Sequence, residues 1–130
     1  MAPGEGNIGP DTKVWRRIPP HHFPKKPRQD RPDSAAFDDD SLDEPMSVVI
    51  ARSGRDPYDI LRGHDGFGVV ALTVAELEAA GQELRADPLP EEPDHALVVG
   101  NKSKGQRRRM ASSATWVVRP PQAYPPTTST

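Results

Sequence analysis

The sequence predicts an α+β fold: a small mixed sheet of about four to five strands with two to three short helices, preceded by a proline-rich docked arm. Three observations predict it. Short β-branched runs recur from Met46 to Val118, and their order breaks strict strand–helix alternation at Pro88–Asp94. Thr73 with Glu76, and Ser103 with Gln106, have the spacing of helix capping boxes, in which each side chain reaches the other's orphan backbone donor. Of the 16 prolines, eight lie in residues 1–45 and four in 120–130, so the chain divides into a foldable middle and proline-dense ends. Proline fixes φ and removes a backbone donor, which works against regular ladders where it is dense.

The elements follow in chain order. Residues 1–13 hold Gly4, Gly6, Gly9, Pro3 and Pro10, with Ile8 as the apolar residue to bury, and read as a disordered leader. Val14-Trp15-Arg16-Arg17-Ile18 is an apolar–basic stretch able to add a strand before Pro19-Pro20 ends it. The cationic segment His21–Arg28 has too many fixed φ angles for a helix or central strand. Ser34-Ala35-Ala36-Phe37 is an apolar island ahead of the acidic run Asp38-Asp39-Asp40-Ser41-Leu42-Asp43-Glu44. Trp15, Phe23 and Phe37, set in polar surroundings, are spaced to anchor residues 14–45 as an arm on the domain.

Beyond Pro45 the texture changes. Met46–Ala51 reads as a buried strand. Asp56-Pro57, closed by Gly63, brackets a helix of one to two turns. Gly66–Leu72 reads as a second strand, and Thr73 caps a helix that Gly81 stops. Gln82–Asp87 and Ala96–Gly100 are further strands, separated by Pro88-Leu89-Pro90 and a loop. A basic helix opens at Ser103 and runs to about Ser113, and Thr115–Val118 closes a domain spanning 46–119. Residues 120–130 read as a disordered tail.

Charge is unevenly spread. Residues 46–95 carry four Lys/Arg against ten Asp/Glu, whereas residues 96–130 carry six Lys/Arg and no acid. Such segregation suits either an anionic partner or a basic end folded back on the acidic middle. The chain has no cysteine, which excludes disulfides, thiolate metal sites and cysteine nucleophiles. The N-terminus lacks a secretory pattern, and no apolar run reaches the ~20 residues of a membrane span, so a cytoplasmic protein without membrane contact is expected.

Two sets of residues are candidates for function. Lys102, Lys104, Arg107, Arg108 and Arg109 surround a helix N-terminus, with positions 104, 107 and 108 on one face; they suit phosphate contacts to a nucleic acid or nucleotide. The alternative set is Arg17, Ser34 and His64, as the lining of a nucleotide pocket or the working groups of a small hydrolytic enzyme. The histidines His21, His22, His64 and His95 lack metal-ligand spacing. The acidic run lacks the alternation and central glycine of a calcium loop. Gly63-His64-Asp65-Gly66-Phe67-Gly68 follows a helix and opens a strand, the reverse of a dinucleotide fingerprint, so it is a turn and no cofactor is expected.

The stretches from Trp15 to Ile18, Arg31-Pro32-Asp33-Ser34-Ala35-Ala36-Phe37, Met46-Ser47-Val48, Asp87–Pro90 and His95–Gly100 resemble a family of short uncharacterised bacterial proteins. The resemblance covers about residues 15–118. It implies a compact bacterial domain that includes the arm, and no activity or site residue. The expected function is a non-catalytic binding or accessory module acting with a protein or nucleic-acid partner, the alternative being a small nucleotide-using or hydrolytic enzyme.

Overall fold

Strand alternation sends Val14 and Ile18 to one face and Lys13, Trp15 and Arg17 to the other, and both faces find apolar cover. The result is β1 (Lys13–Ile18), which pairs along its full length with β3 (Gly68–Thr73) and at Val14 and Trp15 with β2 (Met46–Ile50). The structure, a computed structural model, describes residues 8–24 and 30–119. The start of the expected leader, residues 1–7, lies outside them, as do the expected tail, 120–130, and residues 25–29 of the cationic segment.

The remaining strands are β4 (Glu83–Ala86), β5 (His95–Val99) and β6 (Thr115–Val118); the α-helices are α1 (Val74–Ala79) and α2 (Lys104–Ser113). Three short 3-10 turns, Pro20–His22, Ser34–Phe37 and Pro57–Leu61, complete the described residues. The strands form one six-stranded sheet in the order β4-β5-β2-β1-β3-β6. Every pairing is antiparallel.

The fold is therefore α+β, with two corrections. The sheet has six strands rather than four to five, because the Trp15 segment is a strand near the middle of the sheet. It is antiparallel rather than mixed. Strands β3 and β4 run the same way and are joined through α1, as β5 and β6 are through α2. Each connection crosses to the opposite edge, so these same-direction strands never become neighbours. The Pro57–Leu61 segment is a 3-10 turn, with the Asp56 side chain accepting from Tyr58 N–H at its start.

Capping explains where α1 sits. Thr73 and Glu76 form the full capping box, with N–H···O distances of 3.1 and 2.8 Å. The next orphan donors, Val74 N–H and Ala75 N–H, go to the carbonyls of Thr12 and Pro10, so residues just ahead of β1 seal the helix start. At the other end Gly81 takes φ +76°, the left-handed stop.

Two apolar clusters lie on opposite faces of the sheet. On the helical face, Val14, Ile18, Met46, Ile50, Leu72 and Val98 meet Leu77 of α1, Met110 of α2, Phe23 and Phe37. On the other face, Trp15, Val49, Val69, Ala71 and Val118 are covered by Ile60 from the segment between β2 and β3. No helix among the described residues is long and apolar enough to cross a membrane.

Candidate functional site

Strands β1 and β2 begin in register, Val14 opposite Ile50 and Trp15 opposite Val49, and then part. Continued pairing would set Arg16 against Val48 and Arg17 against Ser47. Instead β2 keeps its ladder with β5 through Met46, and β1 keeps its ladder with β3 through Ile18. A cleft of about 290 Å³ opens at this split, lined by Trp15, Arg16, Arg17, Ser47, Ile60, His64, Phe67 and His95, with Asp40 and Val48 also in its wall.

Arg16 fills the breach in the ladder. Its guanidinium donates to the Ser47 carbonyl at 2.8 Å, the Ala36 carbonyl at 3.1 Å and Asp40 Oδ1 at 3.2 Å. Burial pulls the Arg16 pKa below its ordinary value, and Asp40 works against that shift. The second Asp40 oxygen accepts from Ser47 Oγ at 2.6 Å. The Ser47 carbonyl at the split, the Ala36 carbonyl of the 3-10 turn, the Arg16 cation and the Asp40 carboxylate therefore satisfy one another.

Arg17 points to the other face. One of its Nη atoms donates to the Ile60 carbonyl at 3.0 Å, and no carboxylate is paired with it among the described residues. Burial, then the neighbouring Arg16, pull its pKa below the ordinary value, partly offset by Asp40 and Glu92. That pattern marks a half-buried cation lacking a counter-charge of its own. His64 enters the same cleft from the turn before β3 and packs edge-on against Phe67, ring centroids 5.1 Å apart. Its pKa is lowered, first by burial and then by Arg17, which favours the neutral ring. His95 lies across the cleft on β5, its Nδ1 2.9 Å from the Asp87 carbonyl and 3.1 Å from Asp87 Oδ2, and no described residue bonds its Nε2.

Of the alternative set read from the sequence, Arg17 and His64 thus share one cleft. Ser34 does not join them: it opens the 3-10 turn that packs against α2 on the helical face. Arg16, Asp40, Ser47, Phe67 and His95 belong to the cleft but carried no motif. The available signal was the alternation Val14-Arg16-Ile18, which puts a charge on a core-facing line and so demands a partner.

The basic set is divided. The Lys102 side chain is only 3% exposed, and its Nζ meets the carbonyls of Val98 at 2.9 Å and Gly100 at 3.2 Å and Asp39 Oδ1 at 2.8 Å. Arg107 faces Asp38 at 3.7 Å, and Arg109 donates to the Ala79 carbonyl at 3.3 Å. Lys104 and Arg108 are exposed on α2. Three consecutive aspartates therefore each meet a cation from a different part of the chain: Asp38 from α2, Asp39 from the loop before it, and Asp40 from β1. The described residues contain no group of three His, Asp or Glu side chains placed to hold a metal ion.

No protein-family model, curated protein or solved structure matches this chain.

Proposed function

We propose that the chain is a non-catalytic binding or accessory module of the bacterial cytoplasm, and that it recognises an anionic group on its partner at the cleft between β1 and β2. The observation that carries this reading is Arg17, a half-buried guanidinium with no carboxylate paired to it among the described residues, facing a cleft that His64 and His95 also line. A buried cation is stabilised by an anion brought to it, and a guanidinium keeps its charge while doing so.

Two features favour binding over catalysis. Ser47 Oγ donates its hydrogen bond to Asp40, which Arg16 also engages, rather than to an imidazole, so the hydroxyl lacks the serine–histidine pairing of an activated nucleophile. His95 is held through Nδ1 by Asp87, and among the described residues no hydrogen bond joins it to that hydroxyl. The internal pairing of Lys102 and Arg107 with Asp39 and Asp38 reduces the charge that the basic stretch 102–109 can offer to a nucleic acid, which makes the cleft the better recognition point.

Photo-crosslinking with the full chain in bacterial cells tests the reading. A photoreactive residue replaces exposed Asp65, beside His64, and in a parallel sample replaces exposed Arg108 on α2. A discrete adduct from position 65 that Arg17→Gln abolishes is expected. Adducts that form only from position 108, or that survive Arg17→Gln, would refute it.

A further inference from the structure

We infer that the group received by the cleft is a phosphate monoester borne on a small organic body, an assignment that rests on the cleft being an anion site. The geometry separates phosphate from carboxylate. A carboxylate is planar and suits a fork of two parallel donors, as Glu92 takes from Arg55 with both N–H···O distances at 2.6 Å. The cleft offers donors from separate walls instead. Arg17 comes from β1, with one Nη spent on Ile60. His64 comes from the turn ahead of β3, and neither of its ring nitrogens bonds to another described residue. His95 comes from β5, with Nε2 bonded to no other described residue. A tetrahedral phosphoryl group presents oxygens in three directions and so suits donors on three separate elements better than a planar carboxylate with two oxygens does.

Local electrostatics do not oppose a dianion. Asp40, the acid in the cleft wall, already accepts from Arg16 and Ser47. Glu92 is engaged by Arg55, and Asp94 is shared by Arg52 and Arg55. Arg17 therefore stands among acids that other cations have already taken.

The size and the walls describe the rest of the ligand. At about 290 Å³ the cleft lies at the small end of ligand sites, which admits a single small molecule and no helix. Phe67 and Ile60 provide an apolar side beside the cationic one, so the ester's organic part has a surface to lie against.

The test uses the full chain with adenosine monophosphate, inorganic phosphate, acetate and benzoate as probes, followed by NMR of the His64 ring and by calorimetry. Adenosine monophosphate is expected to shift the His64 resonances and to bind more tightly than inorganic phosphate, with both carboxylates weaker. Arg17→Gln should weaken adenosine monophosphate at least about tenfold, the scale of one charge-assisted contact. Arg17→Lys keeps the charge but loses the fork, and should give an intermediate loss with an unchanged unfolding midpoint. That variant decides the matter if Arg17→Gln fails to fold. Carboxylate binding that depends on Arg17 without phosphate binding would overturn the phosphate assignment and leave the anion site standing. A His64 signal moved by none of the four probes would overturn both.

Discussion

Gly100 shows how much a single hydrogen atom in place of a side chain can decide. Its φ is +153°, and a Cβ built there would come within 2.7 Å of both the Gly81 carbonyl oxygen and Gln82 Oε1. Gln82 is itself held, donating to the carbonyls of Ala80 at 3.0 Å and Asn101 at 2.8 Å, so it cannot simply swing away. Gly100→Ala is expected to cost about 1–3 kcal/mol in urea unfolding, the range for a side chain forced into an unfavourable backbone region. Trp15 makes the opposite case, where size is needed. It is 7% exposed between Val49 and Ala71 on the face that Ile60 covers, and it also walls the cleft. Trp15→Ala should cost about 3 kcal/mol or more by the cavity it leaves. An unchanged unfolding midpoint would show that the central strand does not depend on this ring.

Among elements, the acidic run from Asp38 to Asp40 is the one whose role composition hides. Alone it looks like a solvated charge cluster. In the fold it ties the 3-10 turn Ser34–Phe37 to β1, to the β5–α2 loop and to α2 itself. The partners are unequal in burial, which orders their expected effects. Lys102→Ala should destabilise by about 2 kcal/mol, because the part-buried Val98 carbonyl and the Gly100 carbonyl lose a charged donor. Asp39→Ala, at a site 39% exposed, removes the ion pair and the 3.2 Å acceptor of Met46 N–H but leaves Lys102 its two carbonyls, so it should cost less, about 1 kcal/mol. Equilibrium unfolding of the two variants and their double mutant measures the coupling; equal losses from both singles would contradict this ordering.

For the whole molecule, pH reports on two regions at once. Arg55, through its paired hydrogen bonds, holds the Glu92 carboxyl below the usual carboxylate range. A folded-state pKa below the unfolded one means stability that is present above the unfolded value and is lost as pH falls through the folded value. His64 is also lowered in the folded protein, so between its folded and ordinary values the unfolded chain binds more protons. Stability therefore also falls as pH drops from neutrality through the ordinary histidine range. A pH series of urea midpoints should decline in two regions: His64→Gln should flatten the upper one and Glu92→Gln the lower. If the cleft takes a phosphate monoester as proposed, adding one should oppose the upper decline, since an anion beside His64 favours its protonated form.

How much was legible in the sequence follows from the range of the forces involved. The α1 capping box, the glycine stop at Gly81, the proline-led turn after Asp56 and the apolar runs of β2, β3, β5 and β6 depend on neighbours within a few residues, and the sequence displays them. Arg17 and His64 could be singled out as unusual, but nothing local says that they meet. Tertiary structure decided three things that no local pattern encodes. It inserted Val14–Ile18 between β2 and β3, where Arg16 could be buried only because Asp40 and two distant carbonyls were there to receive it. It distributed the basic stretch, turning Lys102 inward onto an acid more than sixty positions earlier and leaving Lys104 and Arg108 outside. It also parted β1 from β2, creating the cleft, because β2 follows β5 and β1 follows β3 once the Trp15–Val49 pair is passed. Local propensity names the elements; pairing and charge compensation between distant segments determine where the cleft forms and which cations line it.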